Sequence, residues 1–153
     1  MPCETIFASD VFRVDLSAQV FEQGGNTPQS IIRTDQNWFV HVQWTTRGEA
    51  TPMIDGFWHL HVMLEPIGPG DGFDLTDPVA AQHCIPLTPG DEPVPYHVDV
   101  NVAAGDITVP AAGRLFSVVV VLTYRTPGGG TFCGSGPGPM ACWSLEPHVL
   151  FYN

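Results

Sequence analysis

The stretch Trp38-Phe39-Val40-His41-Val42-Gln43-Trp44 constrains this chain more than any other, because large apolar side chains fall at every second position. An extended strand sends successive side chains to opposite faces, so Trp38, Val40, Val42 and Trp44 share one side, with Phe39, His41 and Gln43 on the other. A helix, at about 3.6 residues per turn, would scatter the same residues around its axis. The stretch is predicted to be a half-buried strand.

The pattern recurs in Phe57 to Glu65, where Trp58, Leu60, Val62 and Leu64 point inward and Phe57, His59, His61, Met63 and Glu65 point outward. It recurs again in Tyr96 to Val102, with Tyr96, Val98, Val100 and Val102 inward. Arg114 to Arg125 is apolar on both faces, as expected of a strand in the middle of a sheet. Val11 to Phe21, Ser30 to Thr34 and Trp143 to Tyr152 read as further strands, with Pro147 at a bulge or edge because it cannot donate to a ladder. No window free of Gly and Pro carries helical apolar spacing, so helix is confined to a turn or two.

Sixteen Gly and fifteen Pro fall between these runs, and 153 residues with no shift in composition correspond to one domain, residues 1–153. The gaps Pro66 to Glu92 and Thr126 to Cys142 are expected to be long loops. The fold class that follows is all-β, a two-sheet antiparallel sandwich of about seven strands, with residues 1–10 as an N-terminal arm able to add a strand to a neighbouring subunit. In the strand bearing Trp38 and Trp44, the Trp58 strand, and the apolar strand ending in Tyr124 before a Pro-Gly turn, the chain resembles immunoglobulin-like domains. The resemblance covers Ser30 to Tyr152 and is one of architecture, which hosts many unrelated functions; the cysteines do not follow the Cys–Trp–Cys spacing of antibody domains.

The formal net charge of −11, with five Arg and no Lys, repels nucleic acid and anionic membrane surfaces. No apolar run approaches the ~18 residues of a membrane-spanning helix, so membrane insertion is not expected. The start of the chain, Met1-Pro2-Cys3-Glu4, has an acid where a secretory signal has basic residues, which favours the cytoplasm unless a signal has been removed. The four cysteines, Cys3, Cys84, Cys133 and Cys142, allow three pairings if all are bridged; Cys133 and Cys142 are nearest in sequence and flank a Gly-Pro segment flexible enough to bring their sulfurs together, whereas in a reducing cytosol they stay free thiols.

His59-x-His61 on a strand places two imidazoles on one face, and pairing of Trp44 near Trp58 would bring His41 beside them. Three such ligands hold a transition metal with an open position, the arrangement of a metal-dependent enzyme. The plainer reading is three polar residues on a wet sheet face. Asp71, Asp74 and Asp77 offer calcium oxygens without EF-hand spacing, and turn-forming aspartates explain them as well. Gly134-Ser135-Gly136 is only part of a nucleophile elbow, and Gly128-Gly129-Gly130 lacks the Lys and helix of a phosphate loop, so no catalytic residues are assigned. Outward-facing Phe39, Phe57 and Met63 suggest an apolar contact patch. The expectation is thus a non-catalytic interaction module with a protein partner or a second copy of itself and no cofactor. The alternatives are the His41, His59, His61 metal enzyme and a carbohydrate-binding module using Trp143 or Tyr152.

Overall fold

A computed structural model of the chain describes residues 3–5, 7–76, 83–127 and 137–153. Eleven strands, counted among these residues, form two sheets: β1 Cys3–Thr5, β2 Arg13–Glu22, β3 Ile31–Arg33, β4 Trp38–Arg47, β5 Phe57–Pro66, β6 Phe73–Asp74, β7 Cys84–Pro86, β8 Val94–Val102, β9 Arg114–Arg125, β10 Pro137–Ser144 and β11 His148–Tyr152. A 3-10 turn spans Thr51–Met53, and no helix among the described residues is long and apolar enough to cross a membrane.

The smaller sheet has the order β2-β4-β8, antiparallel throughout. In the larger sheet β9 is hydrogen-bonded along one side to β5 and along the other first to β11 and then to β10. Its two apolar faces therefore do mark a central strand. Beyond these, β1 pairs with β10, β3 runs parallel beside β11, and the short β6 and β7 pair with the outer edge of β5.

The inward residues read from the alternation are buried, apart from Val98, which is partly buried. Val40, Val42, Leu60, Val62, Leu64, Phe116, Val118, Val120 and Leu122 are sealed in the interior. The layers meet through aromatic rings: Trp44 of the smaller sheet lies edge-on to Trp58 of the larger at 6.5 Å, and Trp38 meets Phe151 at 5.0 Å. Trp44 also stacks on Tyr96 at 5.3 Å. Such offset and edge-to-face pairs add to the stability already gained by area burial.

Several expectations change. Trp44 and Trp58 are not neighbours in one sheet, because residues 48–56 carry the chain across from one sheet to the other. Gly56 completes that crossing at φ +134°, where a Cβ would lie 2.3 Å from the Arg125 carbonyl oxygen. Only glycine fits so close a backbone approach. Pro147 divides the expected last strand into β10 and β11, which pair with successive halves of β9. The expected loops contain β6, β7 and most of β10.

The N-terminal residues Cys3–Thr5 pair with β10 of their own chain, and Cys142 is bridged to Cys3, not to Cys133. Register explains the choice, since Cys3 and Cys142 stand directly opposite one another on adjacent strands. Cys84 is disulfide-bonded as well, whereas Cys133 lies outside the described residues, as do Gly128 to Gly130 and Gly134 to Gly136.

Candidate functional site

The two sheets turn chemically different outer faces to solvent. On the larger sheet, cross-strand register places Ile31 beside Leu150 and Leu150 beside Leu115. The Ile67 amide donates to the Leu115 carbonyl at 2.9 Å, so the row continues to Ile67. Ile31 is 52% exposed, Ile67 48% and Leu115 40%. With the partly buried Leu150 between them, these large aliphatic side chains on four adjacent chain segments make one continuous stripe. After a polar row of His148, Ser117 and Glu65, the same face becomes apolar again at Val119 and Met63, then at Trp143 and Val121.

His59 and His61 stand on this face, two residues apart as the strand period requires. His61 is committed to Asp74, with its Nε2 2.9 Å from Oδ2. The other Asp74 oxygen accepts from the Thr76 amide at 3.0 Å and the Thr76 hydroxyl at 3.3 Å. Partial burial alone would raise the Asp74 pKa, but the hydrogen bonds from His61 and Thr76 and the field of His61 together lower it. Both oxygens of Asp74 are thus engaged within the fold, and Asp77, the last member of the acidic loop, lies outside the described residues.

A carboxyl whose folded pKa is depressed stabilises the fold above its unfolded titration and loses that contribution as pH falls through the folded value. Asp74→Asn is therefore expected to lower stability at pH above about 5, and the gap to wild type should close as pH drops below the usual aspartate range. The pair is half exposed, so the gap should stay under about 1 kcal/mol. Denaturant titrations at stepped pH check this, and a gap that persists undiminished in acid would contradict it.

His41 is on the opposite side of the molecule, on the outer face of the smaller sheet. The expected grouping of His41, His59 and His61 is thus not assembled, because the Trp44–Trp58 contact on which it rested spans the core and does not join neighbouring strands. Among the described residues no three His, Cys, Asp or Glu side chains gather to hold a metal ion. The same division separates Phe39, on the smaller sheet, from Phe57 and Met63, on the larger. Trp143 and Tyr152 share the larger sheet's outer face, but Trp143 is level with Val121 and Tyr152 lies beyond Arg114. That separation is roughly 25 Å at ~3.4 Å per residue, too wide for one aromatic platform.

Around His41, Asp99 stands directly opposite on β8, with its Oδ1 2.6 Å from His41 Nδ1, and His97 lies 6.0 Å away between ring centres. Phe21 meets His41 edge-on at 6.2 Å and stacks on Phe39 at 5.3 Å. Sequence reading placed His97 and Asp99 on a wet face but had no signal for the strand that would lie beside them.

A hollow of 360 Å³ opens at one end of the molecule between Gln23, Asn37, Asn101 and Asp106. Two of its polar groups are already used: Asn37 accepts from the Ala104 amide at 2.8 Å and Asp106 from the Ala103 amide at 3.2 Å, which fastens the turn after β8. At the other end Tyr124 donates to the Asp55 carbonyl at 2.7 Å, and its pKa is raised by burial and by the nearby Asp55 charge. No family model matches this chain, and neither the curated proteins nor the solved structures hold a match to it.

Proposed function

We propose that this domain is a non-catalytic interaction module that binds another protein chain, in the first instance a second copy of itself, through the outer face of its larger sheet. The observation that carries this reading is the apolar stripe of half-exposed Ile31, Leu115 and Ile67, joined through the partly buried Leu150, in a chain of net charge −11. Contiguous apolar surface of this kind is uncommon on monomers and typical of contact sites. Fully burying one aliphatic side chain is worth about 1.5–3 kcal/mol, so three half-exposed ones contribute a few kcal/mol. Association costs at least ~4 kcal/mol in lost freedom, so the stripe needs Val119, Met63 and Trp143 as its continuation, and the contact is weak and reversible.

The finer architecture we read as immunoglobulin-like. The neighbours β2-β4-β8 and β5-β9-β10 follow the A-B-E and C-F-G orders of that fold, with β6 and β7 in the connection between C and E. The Cys3–Cys142 bridge favours maturation in an oxidising compartment over the cytoplasm.

Sedimentation velocity from micromolar to millimolar protein tests the contact. Wild type should shift from monomer toward dimer, and Leu115→Asp should weaken association at least about tenfold by placing a charge in the stripe. A protein that stays monomeric throughout, or a folded Leu115→Asp variant that associates as wild type does, would overturn the proposal.

A further inference from the structure

The smaller sheet carries a feature independent of the contact stripe and on the opposite face. We infer that His41 and His97 form a transition-metal site on this face, with Asp99 as the residue that orients His41. Three observations support the assignment.

The register is the first. His41 on β4 is directly opposite Asp99 on β8, and His97 is two residues from Asp99, so all three side chains leave the same face. The two imidazole rings are 6.0 Å apart between centres and inclined by only 31°. Two imidazoles bound to one ion at ~2.0–2.1 Å have ring centres about 5 Å apart, so a side-chain rotation of roughly 1 Å closes the pair.

The second is the state of His41. A carboxylate can only accept a hydrogen bond, so the 2.6 Å contact of Asp99 Oδ1 with Nδ1 places a proton on Nδ1. In the neutral ring the lone pair is then on Nε2, the nitrogen that a metal requires. A carboxylate behind a ligating histidine is the usual support of metal sites, fixing both ring orientation and tautomer. The edge of Phe21 against the ring restricts it further. His61 differs: its Nε2 is the nitrogen held by Asp74.

The third is the electrostatic setting. The cross-strand neighbours in these two rows are Gln19, Gln43 and Ser17, which bring no competing cation, and the whole molecule is strongly acidic. Imidazole ligands select zinc, nickel and copper over magnesium and calcium, which prefer oxygen. Two protein ligands leave the remaining positions to water, so the site is open, with copper(II) held tightest of the three.

Zinc alone, added to the intact chain, is the probe, read by the side-chain nitrogen resonances of the six histidines. The expected result is that the Nε2 signal of His41 and one ring nitrogen of His97 move together, saturating at one ion per chain. His41→Ala or His97→Ala should each lower affinity at least about tenfold, whereas the double change His59→Ala with His61→Ala should leave it unaltered. Asp99→Asn should lower affinity about 10–100-fold and, without metal, shift the His41 tautomer signature, which loss of a merely structural contact would not do. No shift at millimolar zinc, shifts confined to other histidines, or an Asp99→Asn variant that binds as wild type does would each overturn the assignment. All three positions are on the surface, so the variants are expected to fold, and a dispersed amide spectrum checks that they have.

Discussion

Trp58→Ala is expected to cost the fold about 3–5 kcal/mol, the range for deleting a buried tryptophan from a packed core. The side chain has no exposed surface and touches rings on three sides: Phe12 stacked at 6.4 Å, Tyr124 edge-on at 6.1 Å, and Trp44 of the facing sheet at 6.5 Å. Its removal leaves a cavity where β4, β5, β9 and Phe12, just ahead of β2, all contribute large groups, and strands pinned by their ladders cannot collapse into it. Trp58→Phe should be much milder. The indole Nε1 of Trp58, like that of Trp44, has no hydrogen-bond partner among the described residues, so a phenyl ring keeps most of the packing and leaves no new polar group unpaired. Urea unfolding of the two variants measures both costs, and a loss below about 1 kcal/mol for the alanine variant would mean that the two layers do not meet there.

The second large effect is expected from the bridge between Cys3 and Cys142, which spans 139 residues. Closing so long a loop in the unfolded chain is worth about 5 kcal/mol on the chain-entropy model, and measured values range from about 0 to 5 kcal/mol. We expect Cys3→Ala to lower stability by about 2–5 kcal/mol and to let the three-residue β1 fray from β10. Cys3 is the better position to change, because Cys142 is fully buried and its removal would add a packing loss. Denaturant unfolding gives the free energy, and hydrogen exchange at the amides of β1 reports the fraying. A variant as stable as wild type, with β1 still protected, would contradict the expectation.

What the sequence made legible was the part of the fold that repeats. In β4, β5, β8 and β9 an apolar group at every second position over seven or more residues leaves one consistent inner face, and each of those faces is buried apart from the partly buried Val98 and Tyr124. The strands that went unread are too short to establish a period: β1 and β7 have three residues each and β6 has two. Pairing with a neighbour, not local pattern, makes them strands. β10 was obscured differently, by Pro137-Gly138-Pro139, which carries turn chemistry at the start of a ladder. Gly138 is there because a Cβ would collide with the Tyr124 ring, a contact visible only in three dimensions.

The site was legible only in part, for the same reason. That His41, His59 and His61 face outward follows from strand period and holds. Which sheet each belongs to does not follow from period, because a connection of about ten residues can turn back beside its own strand or cross the core, and nothing local separates the two. The stripe of Ile31, Leu150, Leu115 and Ile67 shows the limit from the other side. Leu115 was recognised on an apolar outer face, but its neighbours arrive by a parallel pairing between residues about 120 positions apart, for which no short motif exists.

The position of β1 bears on how the protein is made. Its residues leave the ribosome well before their partner β10, because at ~5–20 residues per second the 139 residues between Cys3 and Cys142 take roughly 7–28 s. Cys84 emerges within that interval, so its thiol is within reach of Cys3 before that of Cys142. Oxidation of Cys3 to its native partner therefore waits until β10 has been made, and any crosslink that Cys3 forms before then has to be exchanged before the native bridge can close.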